Sequence, residues 1–325
     1  MSRAVVAQAP TRLDFGGGWT DVPPYTVEEG GAVCNIAITR FATATAAVGG
    51  HAAARSSASS RGDQALIDAA LRRAGLAGAE ASLVSDYPIG AGLGGSSAAG
   101  VALAGALAAL ADDHPGPAAL AERSRATEVE QLGIAGGYQD HYAAAFGGAL
   151  LLTFEGCVGV EQIALDRDVC AALARRVLLL HTGQSRISSS TIDAVLGAYR
   201  AREPRVCGAL ARMKALALEM AAALRGHDLD TLGRLVGEHW THQRALHPSI
   251  STARIDAIDD AARRAGAIGM KALGASGGGC VMVFAADGRE AELAAAVAPL
   301  GQRLDYTVDE GGFQLLAVLT GDDQP

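Results

Sequence analysis

Two apolar periods alternate along this chain, and the places where one gives way to the other outline its elements. Short apolar runs at residues 3–8 and 32–39 (AVCNIAIT) read as strands. Between them, RLDFGGGWTDVPPYTVEEGG is dense enough in glycine and proline to read as a loop. HAAARSSASSRG (51–62) is low in complexity and is expected as a loop, followed by a short helix over 64–75. ASLVSDYPI (81–89) reads as a strand, and Gly94 to Ala111 is apolar nearly all round, which predicts a buried helix. DDHPGP (112–117) ends that helix, and another over 118–132 follows. ALLLTFE (149–155) and RRVLLLHTG (175–183) are strand-like; helices are expected near 190–201, 205–225, 228–243 and 252–265. After them come MKALGASGGGCVMVFAA, a helix over 288–298, and closing strands near 303–308 and 313–319. Strands with interspersed helices followed by helices and a few strands predict an α+β fold in two lobes, with a boundary near 165–175.

Bulk properties narrow the partners. The 325 residues are many for one core, and 50% are hydrophobic against 19% charged, as in a globular protein. A net charge of −8 argues against nucleic acid or an anionic membrane, so an anionic ligand needs a local site. The five cysteines are scattered with no C-x-x-C pair and read as reduced thiols, neither a disulfide framework nor a zinc site. The first residues lack the apolar core of a signal peptide. Pro88 to Ala111 is long enough for a bilayer but is built of Gly, Ser and Ala, so the cytoplasm is the expected compartment. His239 and His242 have a spacing seen in zinc sites but no carboxylate or cysteine partner, and read as helix-surface or substrate-side residues.

YPIGAGLGGSSAAG (87–100) contains the dinucleotide spacing at Gly90, Gly92 and Gly95. Its context fails that reading: Asp86 and Pro88 interrupt the preceding strand, and Asp112 and Asp113 end a helix instead of closing a βαβ unit. A Walker loop is excluded because no lysine follows the last glycine. Two readings remain: an anion site at a helix N-terminus with Ser96 and Ser97 in its first turn, or a glycine-rich helix start packed tightly on a sheet. Two further stretches bear on the choice. LGASGGGC (273–280) is too glycine-rich for a simple hairpin, and ATEVEQLGIAGGYQDHYAAAFGG sets Asp140 between two glycine pairs, twelve residues after Glu128. Taken singly, Glu128 is also readable as a solvated helix acid and Asp140 as a helix cap.

Together these stretches resemble the GHMP kinases. The family's central motif, P-x-x-x-G-L-G-S-S-A, appears as PIGAGLGGSSA, with Gly95 in place of the first serine. Its R-x-D-x-x-G-G-x-T-D region appears as Arg12 to Asp21, and its glycine run after K-L appears as KALGASGGGC. The three lie in the expected order over almost the whole chain. The resemblance implies a two-lobed fold, with a ribosomal-protein-S5-like N-terminal domain over 1–172, a ferredoxin-like C-terminal domain over 173–325, and a site between them. Within the family, the spellings RLDFGGGWTDVPPYTVEEGGAVCNIAI and GYQDHYAAAFGG resemble the D-glycero-D-manno-heptose 7-phosphate kinases and the kinase half of L-fucose kinases.

The resemblance implies phosphoryl transfer from ATP, with Mg²⁺, to the anomeric hydroxyl of a sugar. Gly90, Gly92, Leu93, Gly94, Gly95, Ser96 and Ser97 would form the phosphate loop, and Ser96 with Glu128 would hold the metal. Asp140 would accept the hydroxyl proton while Arg12 steadies the developing charge. Thr20 and Asp21 would bind the sugar, and Gly277 and Gly278 would close its side of the phosphates. HTGQSRISSST (181–191) has the composition of a site for a distal phosphate, with Arg186 at its centre, or is an ordinary serine-rich loop. The expected acceptor is therefore D-glycero-D-manno-heptose 7-phosphate. The alternatives are a free sugar or a non-catalytic sensor, and the chain is expected as a monomer or homodimer.

Overall fold

The computed structural model describes residues 3–49, 61–134, 136–184 and 189–320. Two antiparallel sheets organise the chain. The first contains β1 (Arg3–Gly16), β2 (Gly31–Val48), β3 (Glu80–Ser85), β4 (Ala149–Phe154), β5 (Val158–Ile163) and β10 (Gln314–Thr320). Its order is β10-β1-β2-β4-β5, with β3 also paired to β2. The second contains β6 (Val177–His181), β7 (Ala267–Ala272), β8 (Cys280–Ala285) and β9 (Gln302–Arg303) in the order β7-β8-β6-β9. The last strand thus returns to the first sheet, and the two sheets do not divide the chain at a single point.

The helices are α1 (Tyr25–Glu29), α2 (Arg61–Ala74), α3 (Gly95–Leu110), α4 (Pro117–Ala126), α5 (Gln139–Phe146) and α6 (Arg167–Arg176) in the first half. Then come α7 (Ser189–Arg200), α8 (Pro204–Arg225), α9 (Leu229–Leu246), α10 (Ala253–Arg264) and α11 (Glu290–Val297). One face of the first sheet, lined by small residues such as Ala7, Ala9, Ala42 and Ala44, packs on α3 and its neighbours. Those alanines let α3 approach closely, which is why a helix apolar all round is stable there. On the other face, Leu13, Phe15, Ile36 and Ile38 meet Leu216, Met220 and Leu224 of α8, and Met282 and Phe284 of β8. A core therefore runs from lobe to lobe. The second sheet is buried on both faces, because Leu178 and Leu180 point to a further core with Val281, Val283 and Ile258 while Val177 and Leu179 point to the shared one. This accounts for the unbroken apolar runs in β6 and β8.

Several elements differ from expectation. The glycine-rich segment after residue 8 is not all loop: β1 continues to Gly16, and α1 lies within the rest. Pro10 is accommodated at a register shift between Pro10 and Thr11 in the β1–β2 pairing. Beyond it the side chains alternate strictly, Leu13 and Phe15 entering the shared core and Arg12 and Asp14 facing the opposite side. The structure adds α5, β5 and α6, which the apolar pattern alone did not reveal. The helix over 118–132 is α4 followed by a π-helical turn at Thr127–Gln131. Most of the 51–62 stretch lies outside the described residues, whose cysteines are all free. No helix among them is long and apolar enough to cross a membrane.

A buried ion pair joins the two sheets beside this core. Lys271 Nζ of β7 donates to Asp14 Oδ2 of β1 at 2.8 Å, with side-chain exposures of 0% and 4%. Burial pulls the Lys271 ammonium below its ordinary range, the Asp14 charge opposes that, and Arg12 adds to it. His239 of α9 sits beside this pair, fully buried and held neutral by burial and by the Lys271 charge; its Nε2 accepts the Gly17 N–H at 2.9 Å. It is not a helix-surface residue. Removing one member of a buried pair strands the other charge at a cost of about 3–5 kcal/mol, whereas replacing both can be nearly neutral. Lys271→Met is therefore expected to lose about that much in urea unfolding, and adding Asp14→Asn should recover part of it. Simple additivity of the two losses would show that the pair is not coupled.

Candidate active site

The phosphate-loop candidate lies where β3, α3, β1 and the loop between β7 and β8 converge. Gly92 (φ 77°) and Gly94 (φ 75°) occupy the left-handed region that favours glycine. Space enforces the same choice: a Cβ on Gly92 would lie 2.6 Å from the Leu273 carbonyl, and one on Gly94 would lie 3.0 Å from Asp140 Cγ. Position 95 has its own reason to be glycine. The Tyr87 ring covers it, with its hydroxyl donating to the Gly95 carbonyl at 2.7 Å, and a Cβ there would meet the ring at 2.4 Å. A serine at this position, as in the usual family motif, would collide with Tyr87. The loop leads directly into α3, whose first-turn N–H groups have no acceptor within the helix.

Glu128 sits in the π-helical turn facing these serines and is largely buried. Ser96 Oγ donates to Glu128 Oε1 at 2.9 Å, and Ser97 Oγ to Oε2 at 3.3 Å. Ser96 is exposed at the cavity wall whereas Ser97 is buried and also meets His141 Nε2 at 3.3 Å. His141 completes the set: its Nε2 is 3.1 Å from Glu128 Oε2 and its Nδ1 is 2.9 Å from Ser124 Oγ. Burial pushes the Glu128 carboxyl up, but the His141, Ser96 and Ser97 interactions outweigh it and hold the pKa below the ordinary value. Glu128 is thus a partnered, ionised carboxylate and not a solvated helix acid.

Arg12 ties the loop to the other carboxylate. Its Nε donates to Asp140 Oδ1 at 2.7 Å and its Nη1 to the Gly92 carbonyl at 2.7 Å, while its backbone N–H meets the Leu93 carbonyl at 3.0 Å. The arginine is 3% exposed, so its charge is buried between these partners. Asp140 lies in the first turn of α5, after the cap position. The helix start is held instead by Asp21, whose Oδ2 accepts from the Tyr138 and Gln139 N–H groups at 2.9 and 3.0 Å. Gly137 leaves room for that carboxylate. Burial lifts the Asp21 pKa from 3.8 to about 6, the Gln139 N–H lowers it, and the charges of Asp140 and Asp14 raise it.

A cavity of about 560 Å³ opens among these groups, with Arg12, Asp21, Ser96, Glu128 and Asp140 on its wall. Other expected site residues are placed differently. Thr20 is fully buried, and its hydroxyl is engaged by the Gly17 and Ala32 carbonyls and the Ala32 N–H, so it fastens the loop. Gly274 and Ala275 form the wall where Gly277 and Gly278 were expected; the Gly277 N–H turns away to the Ile250 carbonyl at 2.9 Å. Arg186 lies outside the described residues. The residues that sequence reading missed are Asp14, Gln139, His141, Ser124 and Lys271. Two signals were present: Ser124 is one helical turn before Glu128, and a lone lysine inside an apolar strand has to find a counter-charge.

Comparison with known proteins identifies the family. The GHMP kinases N terminal domain matches residues 56–148, and the GHMP kinases C terminal domain matches 220–299. An L-fucokinase/L-fucose-1-P guanylyltransferase of Bacteroides fragilis is 26% identical over 371 residues, covering 96% of this chain and 38% of that protein. The chain therefore spans well under half the length of that relative. A D-glycero-alpha-D-manno-heptose 7-phosphate kinase of Campylobacter jejuni is 29% identical over 202 residues, covering 62% of this chain and 59% of its own. A crystal structure of a D-glycero-D-manno-heptose 1-phosphate kinase from Bacteroides thetaiotaomicron superposes with a TM-score of 0.76 at 24% identity, covering 98% of this chain and 100% of that one. That likeness concerns the fold alone, a mixed arrangement of helix and sheet. With both family domains matched and in order, this chain belongs to the GHMP kinases.

Proposed function

We propose that the protein is an ATP-dependent sugar kinase that phosphorylates the anomeric hydroxyl. The observation that carries this reading is the Arg12–Asp140 pair set directly against the glycine loop, 2.7 Å from guanidinium to both the carboxylate and the Gly92 carbonyl. Phosphoryl transfer needs a phosphate cradle, a cation and an oriented nucleophile. The first turn of α3 supplies N–H groups for the cradle. Asp140, held by Arg12, would accept the proton of the sugar hydroxyl, and the guanidinium would offset charge at the point of transfer.

Magnesium is the cation the family resemblance implies, and the residues fit it. Ser96 Oγ and Glu128 Oε1 are hard oxygen donors 2.9 Å apart; adjacent ligands of an octahedral ion at about 2.0–2.1 Å are separated by about the same distance. When bound, the ion would neutralise phosphate charge. The chain's part is to hold Glu128 ionised through His141 and to present Ser96.

The charge on the wall supports one class of acceptor over another. Among the described residues, Asp14, Asp21, Glu128, Asp140 and Asp193 face the cavity, and Arg12 is engaged by Asp140. This wall favours an uncharged sugar, as the name of the fucokinase relative also suggests. D-glycero-D-manno-heptose 7-phosphate is the second reading, supported by the heptose kinase relative and dependent on Arg186 for its distal phosphate. A panel of L-fucose, D-galactose and the heptose 7-phosphate with ATP and Mg²⁺, followed by ³¹P NMR, decides between them. A sugar 1-phosphate from a free sugar supports the first reading, one from the heptose phosphate alone supports the second, and no transfer to any sugar refutes the proposal.

Two outcomes follow. Ser96→Ala and Glu128→Gln should each raise the Mg²⁺ concentration giving half-maximal rate by about tenfold, while Ser97→Ala should do so less; the reverse ranking of the serines would put the metal on Ser97. For Asp21 the sign is set by its raised pKa: the folded state binds the proton more tightly than the unfolded one. The ionised carboxylate therefore costs stability above pH 6, and that cost fades as pH falls from about 6 toward 4. Asn keeps an acceptor for the two N–H groups without the charge. Asp21→Asn should raise Tm at pH 7.5, by on the order of 1–3 kcal/mol in stability, and leave it unchanged near pH 4. A lower Tm at pH 7.5 would contradict this.

A further inference from the structure

The cavity holds buried polar atoms that the chain itself does not satisfy. Lys271 occupies Asp14 Oδ2, but Asp14 Oδ1 has no hydrogen-bond partner. Gln139 Oε1 is likewise unpartnered, and both residues line the cavity beside Asp140. Trp19 also lines the cavity, and its indole N–H is buried without an acceptor, on a residue held at φ 80°. Backbone strain of that kind in a non-glycine residue persists where the surroundings impose it, commonly at ligand sites. Two acceptors and one donor left unpaired on one wall are costly unless a ligand pairs them. Gly18 keeps the wall open: a Cβ there would lie 2.5 Å from Asp14 Oδ2 and 2.9 Å from Gln139 Nε2.

We infer that Asp14 and Gln139 form a hydroxyl-reading subsite, with Asp14 accepting a hydrogen bond from a ring hydroxyl near the reacting carbon and Lys271 fixing the carboxylate from the opposite lobe. The inference rests on the sugar-kinase reading and deepens it. A carboxylate oxygen and an amide oxygen only accept, so the subsite selects a ligand that presents O–H donors, which is the pattern of a polyol and not of a phosphate. Lys271 holds Oδ2 and so leaves Oδ1 as the carboxylate oxygen without a partner. Because β1 carries Asp14 and β7 carries Lys271, this subsite is complete only when the two lobes are packed together. The internal rival is Asn35, opposite Asp14 in the β1–β2 register, fully buried, and with its amide atoms also unpartnered. If Asn35 were the donor to Oδ1, no sugar hydroxyl would be read there.

The test uses the full chain and the sugar that it turns over best among L-fucose, D-galactose and D-glycero-D-manno-heptose 7-phosphate, together with the monodeoxy analogues of that sugar. In the wild type, one analogue other than the anomeric one should lose about 10²-fold or more in kcat/KM, because a buried charged acceptor is left bare. Asp14→Leu combined with Lys271→Met removes acceptor and counter-charge together. It should raise KM for the parent sugar with KM for ATP unchanged, and bring the parent and that one analogue within about threefold of each other. A merely structural role would slow all analogues in proportion. Gln139→Leu carries the same test for a second hydroxyl and does not disturb the ion pair, so the outcome does not depend on the double variant folding. The inference is overturned if the wild type tolerates every analogue within about threefold, or if the variants keep its discrimination. Failure of the wild type to bind or phosphorylate any sugar of the panel, read by calorimetry and ATP consumption, would overturn the kinase reading itself.

Discussion

The guanidinium of Arg12 ties the glycine loop to Asp140. A buried arginine is stable only if its donors are engaged, and here they are divided between a side chain and a backbone carbonyl: Asp140 on α5 and Gly92 in the glycine loop. The consequence is geometric. The candidate base and the candidate phosphate loop come from segments far apart in sequence, yet each is held 2.7 Å from the same rigid, planar group. Their separation is therefore fixed by the arginine and not by loop conformation. Asp21 anchors the other side of this arrangement by capping the helix that carries Asp140.

Burial of several charges so close together needs compensation, and the lobes supply it. Lys271 reaches Asp14 from the second sheet, and His239 stays neutral so that it can accept the Gly17 N–H. The shared core between α8 and the first sheet holds the lobes together closely enough for these contacts to form. The cavity is thus a product of the interface: the glycine loop, Asp140 and Glu128 come from the first lobe, while the counter-charge and the Gly274–Ala275 wall come from the second.

Much of this was legible in the chain because motif residues serve both fold and site. Gly92 and Gly94 must be glycine for backbone and space alike, so the loop announces itself, and Arg12, Glu128 and Asp140 stand at spacings the family resemblance identifies. What was not legible depends on long-range packing. The alternation Leu13-Asp14-Phe15 was hidden by surrounding glycine and proline, although it is the end of a strand. Counting glycines in LGASGGGC could not tell which of them face the cavity, because the path of that loop is set by its contacts with Ala91 and Ile250. Thr20 has the chemistry of a ligand, but only the fold shows its hydroxyl consumed by backbone. His141 adjoins the candidate base in sequence, yet its side chain serves Glu128 instead.

On the proposed function, Arg12 and Asp140 act as one unit on the transferred group. A double-mutant cycle on phosphoryl-transfer rate with Arg12→Met and Asp140→Asn measures this directly. Each single variant should lose on the order of 10²–10⁴ in kcat, and the double variant should lose little more than the worse single, as expected of groups that work together. Losses that multiply independently would contradict the claim.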